Sequence, residues 1–425
     1  MDEAELYGDR IETIHWNGNG TARAGEIPNQ GLLARVSRFG RTIGRATADT
    51  GNPLAVVVED MLGPLEALIN GRRTLMFGTN SYLGLNHHPA CISAANAAAQ
   101  HFGTGSTASR VASGNHRLHM NLEESLARFF GRRQAIAYST GFMANLGIIS
   151  GLCAEGDAIF IDDHSHASIY DACRLSGASV SRFRHNDAAD LDRLFRASPV
   201  PGDRIMVVVE GLYSVWGDLG DLPAILKVAK RHGAITAVDE AHSLGIYGAR
   251  GRGAAELMGV EDLCDLIIGT FSKSLGGIGG FCVTNAPELD ALRYASRPYL
   301  YTASLPPPVV ASTIKALELI DAEPERRQKL LASAKVFHAK LSEVGFQLTS
   351  PGGPVGGVKL HGIKRGNQFW RRLLDEGVYV NLLVPPATPN REVIARYSLS
   401  SLHEPWMLDK AIECFVAAGK ATDVL

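Results

Sequence analysis

The chain has 425 residues, 45% hydrophobic and 20% charged, enough to bury a large core in one main domain with smaller appendages. A net charge of −2 gives no bulk electrostatic footprint for nucleic acid. The N-terminus, Met1-Asp-Glu-Ala-Glu-Leu, lacks the basic-then-apolar order of a signal peptide, no apolar run approaches the roughly 18 residues of a membrane span, and the six cysteines include no CxxC pair, so a soluble cytoplasmic protein without zinc or disulfides is expected.

Residues 1–50 are rich in Gly, Asn, Arg and Thr and are expected to form a loosely attached arm. Asn19-Gly20-Thr21 matches a glycosylation acceptor by pattern only, with no secretory signal to support it. A helix over 31–46 would place Arg35, Arg38, Arg41 and Arg45 on one side and Leu32, Val36, Phe39 and Ile43 on the other, although Gly31, Gly40 and Gly44 weaken it. The expected arrangement packs the apolar side on the body and leaves the arginines in solvent. A docking face, including peripheral contact with a membrane, is the alternative. Residues 51–94 are expected to pack on a smaller C-terminal domain.

From 95 to 325 short apolar runs alternate with helical patterns, which predicts an α/β domain with a large, doubly wound, mainly parallel sheet. Strands are predicted at 134–138, 158–161, 179–183, 205–209, 235–238, 266–268 and 281–284, and helices at 118–130, 142–150, 169–175 and 222–231. After Pro306-Pro307-Pro308 a helical pattern over 309–321 and a charged stretch over 323–329 lead into a smaller α+β domain over 326–425.

The chemistry-bearing residues follow the predicted strands. In such a sheet the ends of neighbouring strands converge on one crevice. Thr140-Gly141-Phe142 opens a helix whose N–H groups can hold a phosphate dianion, though alone it reads as an ordinary cap. Asp162-Asp163-His164-Ser165-His166 offers carboxylates and imidazoles, but no second cluster has the spacing to complete a metal site. His166, placed after a strand end, can stack on an aromatic cofactor, and Ser214 can hydrogen-bond a phenolic oxygen. Asp239-Glu240-Ala241-His242 spells a helicase-like box, yet no phosphate loop accompanies it. Lys273 lies just beyond the strand at 266–268. A lysine to hold an aldehyde and an aspartate to pair with a pyridinium nitrogen are what pyridoxal 5′-phosphate (PLP) needs from a protein.

The ordered words Gly103-Thr-Gly-Ser106, Ser139-Thr-Gly-Phe-x-Ala-Asn145, Ser165-His-Ala-Ser168, Asp239-Glu-Ala-His-Ser243 and Gly269-Thr-Phe-Ser-Lys273 resemble those of the α-oxoamine synthases, a resemblance that covers about residues 50–420. These are PLP-dependent enzymes of fold type I that join an amino acid to an acyl thioester with loss of carbon dioxide. Arg182-Phe-Arg-His-Asn186, Arg297-Pro-Tyr-Leu-Tyr-Thr-Ala-Ser-Leu-Pro-Pro307, Tyr379-Val-Asn and Pro385-Pro-Ala-Thr-Pro389 are similar to the branch that joins serine to a long-chain acyl group, giving a 3-keto sphingoid base.

The resemblance implies that Lys273 binds the cofactor aldehyde and that Asp239 pairs with the ring nitrogen. It implies that His166 stacks on the ring, that His242 and Ser214 contact the ring hydroxyl, and that Gly141, Phe142, Thr270 and Ser272 hold the phosphate. It further implies a homodimer in which Thr302 reaches the phosphate of the other subunit, with Asn80 and Tyr82 bordering the substrate and Arg396 gripping its carboxylate. One departure is visible. Where bacterial members of that branch often carry an arginine before the Pro-Pro-Ala-Thr-Pro word, this chain has Val384, which keeps glycine- or alanine-using relatives in view. The acyl donor, coenzyme A or a carrier protein, has no motif. A non-catalytic scaffold subunit is disfavoured because Lys273, Asp239 and His166 are all present.

Overall fold

The computed structural model describes residues 31–385, 387–388 and 392–425. Residues 1–30, with Asn19, lie outside the described residues, as do Pro386, Pro389 and the side chains of Leu32, Arg35, Arg38, Phe39 and Ile43. The first helix among the described residues is Leu32–Ala46. Of the expected apolar side Val36 is described, and it is exposed and does not pack on the body in the way the sequence suggested; Leu33 is exposed as well.

Three sheets follow among the described residues. Strands β1 (Asp60–Gly63), β2 (Glu66–Ile69) and β3 (Arg72–Met76) form an antiparallel meander near the N-terminus. The large sheet contains β4 (Gln134–Tyr138), β5 (Ala158–Asp162), β6 (Ser179–Phe183), β7 (Ile205–Glu210), β8 (Ile235–Asp239), β9 (Leu266–Thr270) and β10 (Gly280–Thr284). Its strand order is β4-β10-β9-β8-β7-β5-β6, with β10 antiparallel to both neighbours and the other pairs parallel. Near the C-terminus β11 (Val355–Leu360), β12 (Val378–Tyr379), β13 (Asn381–Leu383) and β14 (Val393–Ser398) appear. β11, β14 and β13 form a small antiparallel sheet, while β12 crosses over to extend the first meander beside β3.

Every residue of β5, β7, β9 and β10 is buried, as expected of strands covered by helices on both faces. Side-chain alternation divides the core in two. Ile159, Ile161, Met206, Val208 and Ile268 pack with Ile148, Ile169 and Leu292 on one face. Phe160, Val207, Val209, Val238 and Ile267 pack with Leu126, Leu191, Ile225 and Val310 on the other. Helices Gly141–Leu152 and Ala167–Ser176 thus cover one face, and Arg117–Phe130, Ala188–Ala197, Leu222–Arg231 and Pro307–Ala322 cover the other.

Two glycines let the turn after β4 lie against the sheet. A Cβ on Gly280 would fall 2.4 Å from the Thr140 carbonyl oxygen, and one on Gly141 would fall 2.9 Å from Thr270. Gly280→Ala is therefore expected to lower stability by about 1–3 kcal/mol, the usual cost of overpacking. Urea unfolding followed by circular dichroism checks this, and an unchanged midpoint would contradict the close packing.

Candidate active site

The site is built from the carboxyl ends of parallel strands. Glu210 ends β7 and Asp239 ends β8, and strand register places them side by side, with Asp239 also paired to Ile268 of β9. Lys273 lies three residues past the end of β9. β5 ends in Asp162, and a short turn then delivers His166 as the N-cap of Ala167–Ser176, its ring accepting from the Ser168 N–H at 3.2 Å.

Asp239 is buried. Its Oδ1 accepts from the Ala241 N–H at 2.9 Å and its Oδ2 from the Asn145 amide at 2.8 Å. The ammonium end of Lys273 is enclosed although the residue as a whole is partly exposed. Burial lowers its pKa to about 8, with help from Arg396, against the opposing pull of Asp239 and Glu210. Burial likewise depresses His166, with Asp239 opposing and Lys273 assisting. His242 is held well below the usual range by burial and by the Lys273 and Arg396 charges. Glu210 is pushed well above the carboxylate range by burial and by Asp239, although its Oε1 accepts from the His166 N–H.

A second group lies on the substrate side. Arg396, buried in β14, donates through Nε to the Ser214 carbonyl at 2.7 Å and through both terminal nitrogens to Asn80 Oδ1 at 3.3 Å. The Tyr82 hydroxyl meets His242 Nδ1 at 2.7 Å and Asn80 Oδ1 at 3.2 Å. Burial lifts the Tyr82 phenol to about 12, with Arg396 opposing.

The phosphate candidates cluster at the start of Gly141–Leu152, where Thr140 caps the Met143 N–H and leaves the Gly141 and Phe142 N–H groups without an intrahelical acceptor. Thr270 and Ser272 bring their hydroxyls within 3.0 Å of each other, with Thr270 beside Gly141. Among the described residues Thr302 has no hydrogen bond to Thr140, Thr270 or Ser272. It lines a small pocket with Arg110, Tyr138, Ser139 and Tyr299.

Two features escaped the sequence. Glu210 has the same signal as Asp239, a carboxylate ending an apolar strand, but only register reveals their adjacency. The Asp162–His166 turn also gains a partner from far along the chain, because parallel pairing of β5 with β6 brings His185 to Asp162. His185 Nδ1 meets Asp162 Oδ1 at 2.8 Å and Nε2 meets Asp218 Oδ2 at 2.7 Å. Asp162, Asp163, His164 and His185 therefore do converge, contrary to the expectation from spacing. Both ring nitrogens of His185 are engaged by carboxylates, which overcome burial and raise its pKa to about 10. The imidazolium itself supplies the cation between the two acids.

Comparison with known proteins follows the same lines. The family model described as aminotransferase class I and II matches residues 72–413. A serine palmitoyltransferase of Caulobacter vibrioides is 44% identical over 383 residues, covering 90% of this chain and 95% of that protein. The structure of a variant serine palmitoyltransferase from S. paucimobilis, with PLP and myriocin bound, superposes with a TM-score of 0.91 at 39% identity, covering 93% of this chain and all of the other. An 8-amino-7-oxononanoate synthase of Citrifermentans bemidjiense is 37% identical over 359 residues, 84% of this chain and 92% of its own. The chain belongs to the aminotransferase class I and II family and, within it, to the α-oxoamine synthases, on the side of the bacterial serine palmitoyltransferases.

Proposed function

We propose that the protein binds PLP and catalyses the decarboxylating condensation of serine with a long-chain acyl thioester, releasing a 3-keto sphingoid base. The observation that carries this reading is the meeting of Lys273, Asp239 and His166 at the ends of parallel strands in a chain of this family. The residues fit the cofactor. Gly141 leaves open the space that a Cβ would fill beside Thr270, free N–H groups face a site for a dianion, and a buried carboxylate stands near a lysine held close to its neutral form. We read residues 95–325 as the cofactor-binding domain and 326–425 as the small domain, with 51–94 joined to the latter through β3 and β12.

When bound, PLP supplies an aldehyde for an amine and a protonated ring that withdraws electrons from the amino-acid Cα. Asp239 keeps the proton on the ring nitrogen through a charge-assisted hydrogen bond. Lys273, with its pKa near neutrality, takes a proton at Cα and returns one at the end of the reaction. His166 covers the ring and steers the substrate carboxylate, while His242 and Ser214 contact the ring hydroxyl. Gly141, Phe142, Thr270 and Ser272 hold the phosphate, joined by Thr302 of the partner subunit in a homodimer. Arg396 grips the substrate carboxylate from a position braced by Asn80, Ser214 and Ser398. Val384, part-buried against the core, favours a second reading in which glycine or alanine replaces serine. We propose a cytoplasmic protein; among the described residues no helix is long and apolar enough to cross a membrane. Peripheral membrane contact through the exposed Leu33 and Val36 of the first helix belongs to the same proposal.

Three measurements check the reading. Carboxyl-labelled serine, glycine and alanine, each offered with palmitoyl-coenzyme A and with an acyl carrier thioester, should release labelled carbon dioxide fastest from serine. Faster release from glycine or alanine would leave only the family assignment. Arg396→Ala should raise the KM for the amino acid about 10- to 150-fold, the equivalent of a lost charged hydrogen bond of about 1.5–3 kcal/mol. Separately, PLP should add to the cofactor-free protein with a rate that rises with pH and reaches half its maximum near the lowered Lys273 pKa of about 8. A midpoint near the ordinary lysine value of about 10.4 would contradict the buried amine.

A further inference from the structure

One buried side chain touches both halves of the cofactor machinery and has no role so far. Asn145, one turn into Gly141–Leu152, is buried, and its Nδ2 lies 2.8 Å from Asp239 Oδ2 and 2.9 Å from Ser168 Oγ. Ser168 Oγ lies in turn 2.8 Å from His166 Nδ1. Asn145 Oδ1 is buried without a hydrogen-bond partner. The amide orientation is therefore decided by its nitrogen, because the flipped form would set a carbonyl oxygen against the Asp239 carboxylate. Each of the two amide hydrogens then serves one acceptor.

The consequence runs along the chain of bonds. Since Ser168 Oγ accepts from Asn145, its own proton is free for His166 Nδ1. That nitrogen also receives the Ser168 backbone N–H, which has no alternative but to donate. With two donors on Nδ1, neutral His166 carries its proton on Nε2. Burial favours the neutral ring.

We propose that Asn145 and Ser168 are positioning residues that form one relay, fixing the Asp239 carboxylate and the Nε2–H tautomer of His166 together. In this arrangement His166 presents a hydrogen-bond donor to the cleft, suited to the carboxylate of an amino acid. Asp239 meanwhile has one oxygen tied to Asn145 and the other to the Ala241 N–H. The inference rests on the proposed PLP chemistry only for its purpose, since the relay belongs to the protein without cofactor.

The first test is nitrogen-15 magnetic resonance of ring-labelled histidine in the full-length, cofactor-free protein, assigned by comparison with His166→Gln. A protonated Nε2 and a bare Nδ1 between about pH 8 and 9, above the ordinary histidine range, are expected. A protonated Nδ1 would overturn the relay whatever the enzyme's substrate proves to be. The second test uses the PLP-loaded enzyme. Asn145→Leu and Ser168→Ala should each lower kcat about tenfold with little change in the amino-acid KM, and the double variant should fall little further, because both break one relay. Losses that multiply in the double variant would show two independent structural effects and overturn the proposal. Should either variant misfold, Asn145→Asp replaces it. A second carboxylate beside Asp239 should shift the acid limb of the kcat profile to higher pH, and an unmoved limb would overturn the contact.

Discussion

The structure depends on a charge held where water is scarce. Asp239 is buried at the end of the middle strand of the large sheet, a position that costs several kcal/mol unless the carboxylate is paired and hydrogen-bonded. The surroundings answer that requirement piece by piece. The Ala241 N–H and the Asn145 amide satisfy its oxygens, and its charge acts on the nearby Lys273 ammonium. The same scarcity of water lowers Lys273, depresses His166 and His242, and drives Glu210 toward its neutral form. Arg396, buried nearby, supplies a guanidinium suited to the carboxylate of an entering amino acid.

This arrangement also explains where sequence reading stopped short. The predicted strands at 158–161, 205–209, 235–238 and 266–268 each end one or two residues before the observed ladder does. The missing residues are Asp162, Glu210, Asp239, Gly269 and Thr270, polar or small side chains that break an apolar run yet remain paired and buried. Hydropathy thus falls silent at the site itself, because the polar groups there are buried for chemistry. The motif residues Lys273, Asp239 and His166 were legible as types following strands. Their connections through Asn145, Ser168 and Glu210 were not, since they depend on register and on helix placement.

The remainder was illegible for a different reason. The amphipathic helix Ala188–Ala197 is short and sits between two strands, while β11 carries two glycines in six residues and gives no sustained alternation. His185 shows how much a parallel pairing can conceal. It comes within bonding distance of Asp162 through β5 and β6, and through Asp218 it ties the turn that bears His166 to the loop that bears Ser214. That loop in turn receives Arg396 from the small C-terminal sheet, so the groups assigned to ring and carboxylate are braced against each other across the molecule.

The central claim is that one lysine, Lys273, is the point of attachment for the cofactor. Reduction of the PLP-loaded protein with borohydride, followed by proteolysis and mass spectrometry of the peptides, tests it most directly. The account predicts a single phosphopyridoxyl mark on the peptide containing Gly269-Thr-Phe-Ser-Lys273, absent from Lys273→Ala. A stoichiometric mark on any other lysine, or one that persists in Lys273→Ala at the same site occupancy, would contradict it.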